Sequence, residues 1–196
     1  VARRVLKLPQ FLTWCAPRRP TQNSSHSSSL GLLGRGKVQL ATGRPKDARD
    51  TLDQLLAREP RHVEALVTRA RARAALKDAG GAAADFTAAI AASARPEPEY
   101  FLERAAALAS SVPPDWEAAI QGLDEGLAKL GPGIATLQLA AIDLETKAGR
   151  LDAAIARLDR ARAGAARQET WLVRRGDLLA MANRPAEAAA AYQAAL

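Results

Sequence analysis

A pattern of small and large residues recurs along the chain about every 34 residues, and it restricts the possible folds most strongly. Five segments, each opened by a glycine, proline or asparagine, carry it: 43–56, 80–90, 113–127, 149–161 and 183–196. Each places a large apolar or aromatic residue four positions after an alanine. These pairs are Ala48 and Leu52, Ala82 and Phe86, Ala119 and Leu123, Ala154 and Leu158, and Ala188 and Tyr192. An offset of four puts both residues on one helical face, so each segment predicts a closely packed helix.

A second helical pattern precedes each of these segments, at 30–41, 63–76, 99–110, 134–148 and 170–182. Here a bulky apolar residue comes first and a small one follows four positions later. The pairs are Leu32 and Gly36, Leu66 and Ala70, Phe101 and Ala105, Leu137 and Ala141, and Leu172 and Gly176. Low aromatic content (4%) also favours helices over strands. The chain is therefore predicted to consist of helix–turn–helix units.

This pattern resembles the tetratricopeptide repeat, a helix–turn–helix unit of 34 residues. The residues that carry the resemblance include Trp171-Leu172, Arg175-Gly176, Ala188, Tyr192 and Ala195-Leu196 in the last copy. The resemblance implies an all-α solenoid, a right-handed superhelix of about five repeats. Their expected positions are 29–62, 63–96, 98–132, 133–167 and 168–196. It also implies a non-catalytic scaffold that needs no cofactor and binds a partner protein or peptide in a concave groove.

By the geometry of that family, the outward faces of the first helices line the groove. The residues expected there are Lys37, Val67, Arg71, Ala74, Leu102, Ala106, Gln138, Asp177 and Met181. None of the first helices contains an asparagine, so a clamp for a terminal carboxylate is not supported. The mixed, mostly small or apolar lining favours a helix or an extended peptide. A simpler interpretation, that these are only exposed residues of a scaffold, stays open.

Residues 1–28 differ from the rest of the chain and are predicted to be a disordered, basic arm rich in Ser, Pro and Arg. Residues 1–46 contain nine Lys or Arg and no acid, whereas the remainder has 19 basic and 21 acidic residues. The arm fits an organelle transit peptide better than a secretory signal, because Lys7 and Pro9 interrupt the apolar run. The Ala- and Arg-rich body looks bacterial, however, and a non-native start at Val1 is an equal alternative. The compartment is not determined, with the cytoplasm as default and export left open.

Catalytic, cofactor and metal sites are not predicted. Gly31, Gly36 and Lys37 match the spacing of a phosphate-binding loop, but Val38 has no hydroxyl for Mg²⁺, and a polar Ser-rich segment precedes the motif. Gly36 is instead predicted to be a packing glycine. The only cysteine, Cys15, and both histidines, His26 and His62, lack neighbours at metal-ligand or catalytic spacing. Two arginine clusters, 69–73 and 157–162, spread around their helices, which favours salt bridges over a nucleic-acid surface.

The last copy reaches Leu196 without a polar capping helix, which solenoids generally need. We therefore expect a truncated array, or self-association that covers the apolar face at 188–196. An alternative function is a regulatory or docking fragment of a larger enzyme. RNA binding is disfavoured, because the repeats carry a net charge of −2. No apolar run approaches the ~20 residues of a membrane span. The partner that the family resemblance implies is a protein or peptide.

Overall fold

The structure, a computed structural model, describes residues 28–163 and 168–196, which form ten α-helices. They are α1 (Ser29–Ala41), α2 (Pro45–Leu56), α3 (Val63–Ala75), α4 (Ala79–Ala92), α5 (Pro98–Ala109), α6 (Trp116–Leu130), α7 (Ala135–Lys147), α8 (Leu151–Arg162), α9 (Glu169–Met181) and α10 (Pro185–Gln193). Neither range contains a strand. The prediction of an all-α array of helix pairs is confirmed. We call the odd-numbered helices the first helices and the even-numbered ones the second helices. The predicted arm lies outside the described residues, apart from Ser28.

Left-handed backbone conformations mark the turn inside four of the five helix pairs. The residues and their φ angles are Gly43 at 72°, Lys77 at 62°, Gly149 at 74° and Asn183 at 57°. Glycine and asparagine tolerate this region, so three of the predicted chain breakers lie where the turn requires them.

The second helix pair departs from the sequence prediction. Gly80 and Gly81 were expected to form the turn, but both lie in the first turn of α4, and Lys77 makes the turn instead. Asp78 caps this helix, because its Oδ1 accepts a hydrogen bond from Gly81 N at 2.9 Å. A Cβ at Gly81 would lie 2.2 Å from Asp78 Oδ2. This glycine is needed for the cap rather than for the turn.

The third pair contains a longer connection between α5 and α6. Ser111 Oγ donates to Leu108 O at 2.7 Å or to Pro113 O at 2.8 Å, which organises the connection. Asp115 then caps α6 by accepting a hydrogen bond from Ala118 N at 3.0 Å. As a result Trp116 becomes the first residue of α6.

Apolar side chains from consecutive helix pairs form the core. Large side chains with at most 1% exposure include Leu52 and Phe86 in the first cluster, Phe101 and Leu123 in the second, and Leu158 in the third. Leu52, Phe86, Leu123 and Leu158 are the large members of the predicted second-helix pairs. Each of these clusters spans consecutive helix pairs, so each pair buries its apolar face against its neighbours.

Glycines allow close approach where first and second helices touch. A Cβ at Gly36 would lie 2.8 Å from Leu52 Cγ, and one at Gly176 would lie 2.4 Å from Tyr192 Cε1. Real Cβ atoms do not come this close to other heavy atoms, so each position requires glycine unless its neighbour moves. The prediction that Gly36 is a packing glycine is confirmed, and the phosphate-loop spacing lies inside helix α1.

Candidate functional site

Ion pairs link neighbouring first helices on the surface that these helices share, which we call the first-helix face. Lys37 of α1 pairs with Glu64 of α3. Arg71 of α3 pairs with Glu103 of α5 through two hydrogen bonds, from Nη2 to Oε1 at 2.6 Å and from Nε to Oε2 at 2.8 Å. The carboxylate of Glu103 raises the pKa of Arg71, mainly through these hydrogen bonds. Most cations on this part of the face are therefore already neutralised.

The same kind of pair joins α7 and α9, where Asp143 contacts Arg174. Between α5 and α7, by contrast, no ion pair occurs within the described ranges. Apolar and small side chains line a depression of about 350 Å³ at this junction: Leu102, Ala105, Ala106, Ala109, Ala140 and Leu144. Ser110, Trp116, Asp143 and Lys147 form its rim. We call this depression the α5–α7 cleft.

A second depression of about 320 Å³ lies next to the cleft, between α3 and α5. Arg71, Ala74, Glu103 and Ala106 line it, and Phe86 lies among its lining residues. Ala106 and Ser110 border both depressions. The middle of the first-helix face therefore offers a continuous surface with an apolar floor, bounded on one side by the Arg71–Glu103 pair.

A different set of arginines shares one position of the repeat. Arg35, Arg69, Arg104 and Arg175 each precede the small residue at which a first helix contacts its own second helix. Arg69 Nη1 donates to Asp53 Oδ1 of the preceding second helix at 2.7 Å, and its Nη2 donates to Asp85 Oδ1 at 2.6 Å. Burial lowers the pKa of Arg69, but the hydrogen bonds to Asp85 and Asp53 outweigh it and raise that pKa. The Arg69–Asp53 pair joins neighbouring repeats, and the Arg69–Asp85 pair joins the two helices of one repeat.

The family of the chain follows from its sequence. The profile of the family described as Tetratricopeptide repeat matches residues 33–97 and 139–196, which is more than half of the chain. This chain belongs to the tetratricopeptide repeat family. The resemblance seen in the sequence alone is thereby confirmed. No curated protein matches the chain significantly in sequence.

Solved structures of tetratricopeptide repeat proteins share the fold. A crystal structure of the MamA protein has a TM-score of 0.68 at 16% identity, covering 86% of this chain and 90% of that one. YrrB, described as a TPR protein with an unusual peptide-binding site, has a TM-score of 0.62 at 12% identity, covering 86% and 84%. A thermophilic TPR protein of Thermus thermophilus has a TM-score of 0.52 at 22% identity, covering 86% and 90%. At these identities the likeness concerns the fold.

Four of the nine predicted groove residues come together in the middle of the repeats. Arg71, Ala74 and Ala106 line the depression between α3 and α5, and Leu102 and Ala106 line the α5–α7 cleft. Lys37 lies on α1, outside both depressions, and is paired with Glu64. Only part of the predicted set therefore surrounds one surface.

Val67 was expected to be exposed in the groove, and this prediction was wrong. Its exposed fraction is 4%, and it belongs to the core cluster that contains Leu66 and Phe86. Tyr100 from the next repeat packs against this cluster. The buried arc of α3 is consequently wider than the family pattern suggests. Burial, with a contribution from Glu97, raises the pKa of Tyr100.

The other three predicted residues lie near the C-terminal repeats. Gln138 borders a separate cavity of about 520 Å³ beside Trp171, and its Nε2 donates to Pro132 O at 3.2 Å. Asp177 borders a depression of about 480 Å³ between α7 and α9, and accepts a hydrogen bond from Tyr192 Oη at 2.8 Å. Met181 is 59% exposed at the end of α9 and lines none of these depressions.

Several cleft residues were missed by sequence reasoning. Ala140, Leu144 and Lys147 follow one another at helical spacing along α7, a signal that was available in the sequence. The sequence contained no comparable signal for Trp116. It reaches the rim because the connection before α6 is longer than in the other repeats, so its place depends on a turn that the repeat pattern does not contain.

The described residues contain no group of three or more His, Cys, Asp or Glu that could hold a metal ion. No helix among them is long and apolar enough to cross a membrane. Asp124 and Glu125 do not form an acid–base pair, since Asp124 pairs with Arg157 at 2.6 Å and Glu125 with Arg104 at 2.7 Å.

Proposed function

We propose that this chain is a non-catalytic scaffold that binds a partner protein through the α5–α7 cleft. The tetratricopeptide repeat fold is that of a protein-interaction scaffold. The finer assignment rests on one observation: α5–α7 is a junction of first helices where an apolar depression replaces the ion pair found at the other three. An apolar side chain can enter it without displacing an existing salt bridge.

The shape and composition of the cleft favour an amphipathic helix as the bound segment. Ala105, Ala106, Ala109 and Ala140 keep the floor shallow, so the backbone of a helix could approach closely. Lys147 at the rim forms no ion pair in residues 28–163 and 168–196, and could bind a carboxylate of the segment. A solved protein of this fold, YrrB, is described as having a peptide-binding site, which supports this class of partner.

The test is affinity capture from a lysate of the source organism with the whole chain, read by mass spectrometry. Ala106→Glu puts a charge at the border of both depressions. Ala84→Glu, at an exposed site on α4 that lines neither depression, is the matched control. Circular dichroism first establishes that both variants fold.

We expect a partner captured by the unchanged chain and by Ala84→Glu to be lost with Ala106→Glu. Capture by all three proteins would contradict the cleft assignment and place binding on another surface of the repeats. A parallel experiment with Lys147→Glu asks whether the partner presents a carboxylate. A partner that binds Lys147→Glu more tightly would present a cation instead.

A further inference from the structure

The outer side of α1 exposes an apolar residue at a position that is buried in α3. Val38 is 59% exposed. It occupies the repeat position of Ala72 in α3, whose exposed fraction is 0%. A Cβ at Gly34 would meet no atom within 4 Å. We call Gly34, Arg35 and Val38 the α1 outer face. Within the described residues, nothing packs on it as the preceding repeat packs on α3.

Arg35 gives this face a charge at a position that is neutralised elsewhere. It is the counterpart of Arg69 and Arg175, which donate to Asp53 at 2.7 Å and to Asp159 at 2.9 Å of the preceding second helix. Arg35 itself is exposed and makes no ion pair in the described part of the chain. Its Nε has only the Gln39 amide oxygen, at 3.3 Å, when that amide is oriented to donate to Thr51.

The second helices show which residue pairs with an arginine at the repeat position of Arg35. Three of them carry an alanine, then a leucine four positions on, then an aspartate: Ala48, Leu52 and Asp53 in α2, Ala119, Leu123 and Asp124 in α6, and Ala154, Leu158 and Asp159 in α8. Each of these aspartates pairs with an arginine of the next repeat, at distances between 2.6 and 2.9 Å.

The remaining internal junction shows what happens when the aspartate is missing. In α4 the corresponding residue is Thr87, and Arg104 then turns to its own repeat. Its Nη2 donates to Glu125 Oε2 at 2.7 Å and to Gly122 O at 3.0 Å. The aspartate after the leucine is therefore what draws an arginine at this position toward the preceding helix.

We propose that the α1 outer face binds a helix of another protein in which leucine is followed directly by aspartate. This helix packs on α1 as α2 packs on α3, with its aspartate on Arg35 and its leucine beside Val38. The surface is distinct from the α5–α7 cleft, so the two assignments are independent.

Neither residues 1–27 nor a stacked second copy offers this chemistry at the right place. Residues 1–27 contain five Lys or Arg and no Asp or Glu, so they carry no carboxylate for Arg35. A second copy that continued the array with its α10 would present Gln193 at the position of Asp53. A charged hydrogen-bonding pair is stronger than one with a neutral amide, so an acidic helix is the better match.

The test uses the whole chain, isotopically labelled for NMR, and a synthetic peptide with the sequence of residues 43–60, GRPKDARDTLDQLLAREP. A matched peptide carries Asp53→Asn. We expect the first peptide to shift the amide signals of Gly31, Gly34, Arg35 and Val38. The matched peptide should bind about tenfold more weakly, since it lacks the ionic hydrogen bond.

Variants of the protein distinguish a specific ion pair between Arg35 and the peptide aspartate from non-specific electrostatic attraction. Arg35→Gln, at an exposed site, should reduce affinity for the first peptide about tenfold and change affinity for the Asp53→Asn peptide little. Arg35→Asp should restore binding when the peptide carries Asp53→Arg. Equal affinity of the two original peptides, or shifts on another face, would overturn the proposal. So would concentration-dependent changes at α1 without peptide that Gln193→Ala removes, because the occupant would then be a second copy.

Discussion

The α2–α3 and α6–α7 junctions both pair a half-exposed aspartate of one repeat with an arginine of the next, but these arginines come from different helices. At α2–α3, Arg69 of the first helix reaches Asp53 behind it and Asp85 ahead of it. Arg73 also lies 3.1 Å from Asp85. Two guanidinium groups thus share one buried carboxylate, whose side chain is 5% exposed.

At α6–α7 the repeat position of Arg69 is held by Ala140, and no first-helix arginine is present there. Arg157, from the following second helix, instead donates to Asp124 Oδ1 at 2.6 Å and to Glu145 Oε1 at 2.9 Å. Burial lowers the pKa of Arg157, yet these two partners outweigh it and raise that pKa. The comparison teaches that the aspartate after the leucine is paired at both junctions, whereas the helix that supplies the cation can change.

The largest effect is expected from Arg157→Ala. Glu145 is 7% exposed at its side chain and its carboxylate would lose the only cation it contacts in the described residues. We expect the free energy of unfolding to fall by about 3 kcal/mol, because an uncompensated buried charge is destabilising. Urea unfolding followed by circular dichroism measures this change. Arg157→Ala combined with Glu145→Gln should recover part of this loss. A change below about 1 kcal/mol for the single variant would show that the junction tolerates the bare carboxylate.

Arg69→Ala should cost less, about 1.5 kcal/mol in the same measurement, because Arg73 still neutralises Asp85. The double variant Arg69→Ala/Arg73→Ala should lose more than the sum of the two single variants, since Asp85 then has no cation. If Arg69→Ala proved as damaging as Arg157→Ala, the second arginine would not provide the redundancy inferred from its distance.

Moving the cation back to the first helix tests the comparison directly. Ala140→Arg in the Arg157→Ala background should recover about 1 kcal/mol, because the new side chain can reach Asp124 as Arg69 reaches Asp53. In the otherwise unchanged chain the same substitution should bring no gain, since Asp124 is already paired. An identical response in both backgrounds would mean that repeat position does not determine this contact.

The smallest effect concerns the ion pair between α5 and α6 and its dependence on pH. Hydrogen bonds from Lys129 and Arg104 lower the pKa of Glu125, although burial opposes them. Its unfolded value is about 4.3, so the carboxylate contributes stability above that pH, and this is lost as the pH falls through the lower folded pKa. Because its side chain is 40% exposed, solvent screens the effect to a few tenths of a kcal/mol.

Unfolding titrations between about pH 6 and about pH 3 measure this contribution. Glu125→Gln should lose slightly less stability over that range than the unchanged chain. Parallel curves for the two proteins would assign no pH-dependent stability to this carboxylate.

The sequence was sufficient for the helices and for contacts inside one repeat. Alanine or glycine four residues from leucine, phenylalanine or tyrosine identified both helices of each pair and the role of Gly36. Such contacts depend on helical geometry, which is the same in every repeat. The Gly80–Gly81 prediction failed because Lys77 adopts the left-handed turn and leaves the glycines to the cap.

The site was harder to predict, since it depends on how neighbouring repeats meet. Val67 was placed in the groove because the pattern of α3 cannot show that Tyr100 of the next repeat packs against its cluster. Trp116 was missed because a connection of irregular length delivers it to the cleft. The charge pattern likewise predicted salt bridges for both arginine clusters, without indicating which helices they join.

The two kinds of junction on the first-helix face should respond differently to salt. Lys37–Glu64, Arg71–Glu103 and Asp143–Arg174 are partly exposed ion pairs between successive first helices. Mobile ions screen such pairs, so added salt weakens these three contacts. The α5–α7 junction is lined by apolar side chains, whose contact does not depend on that screening. Rising ionic strength therefore shifts the balance between the junctions, and the one at the cleft becomes comparatively better held.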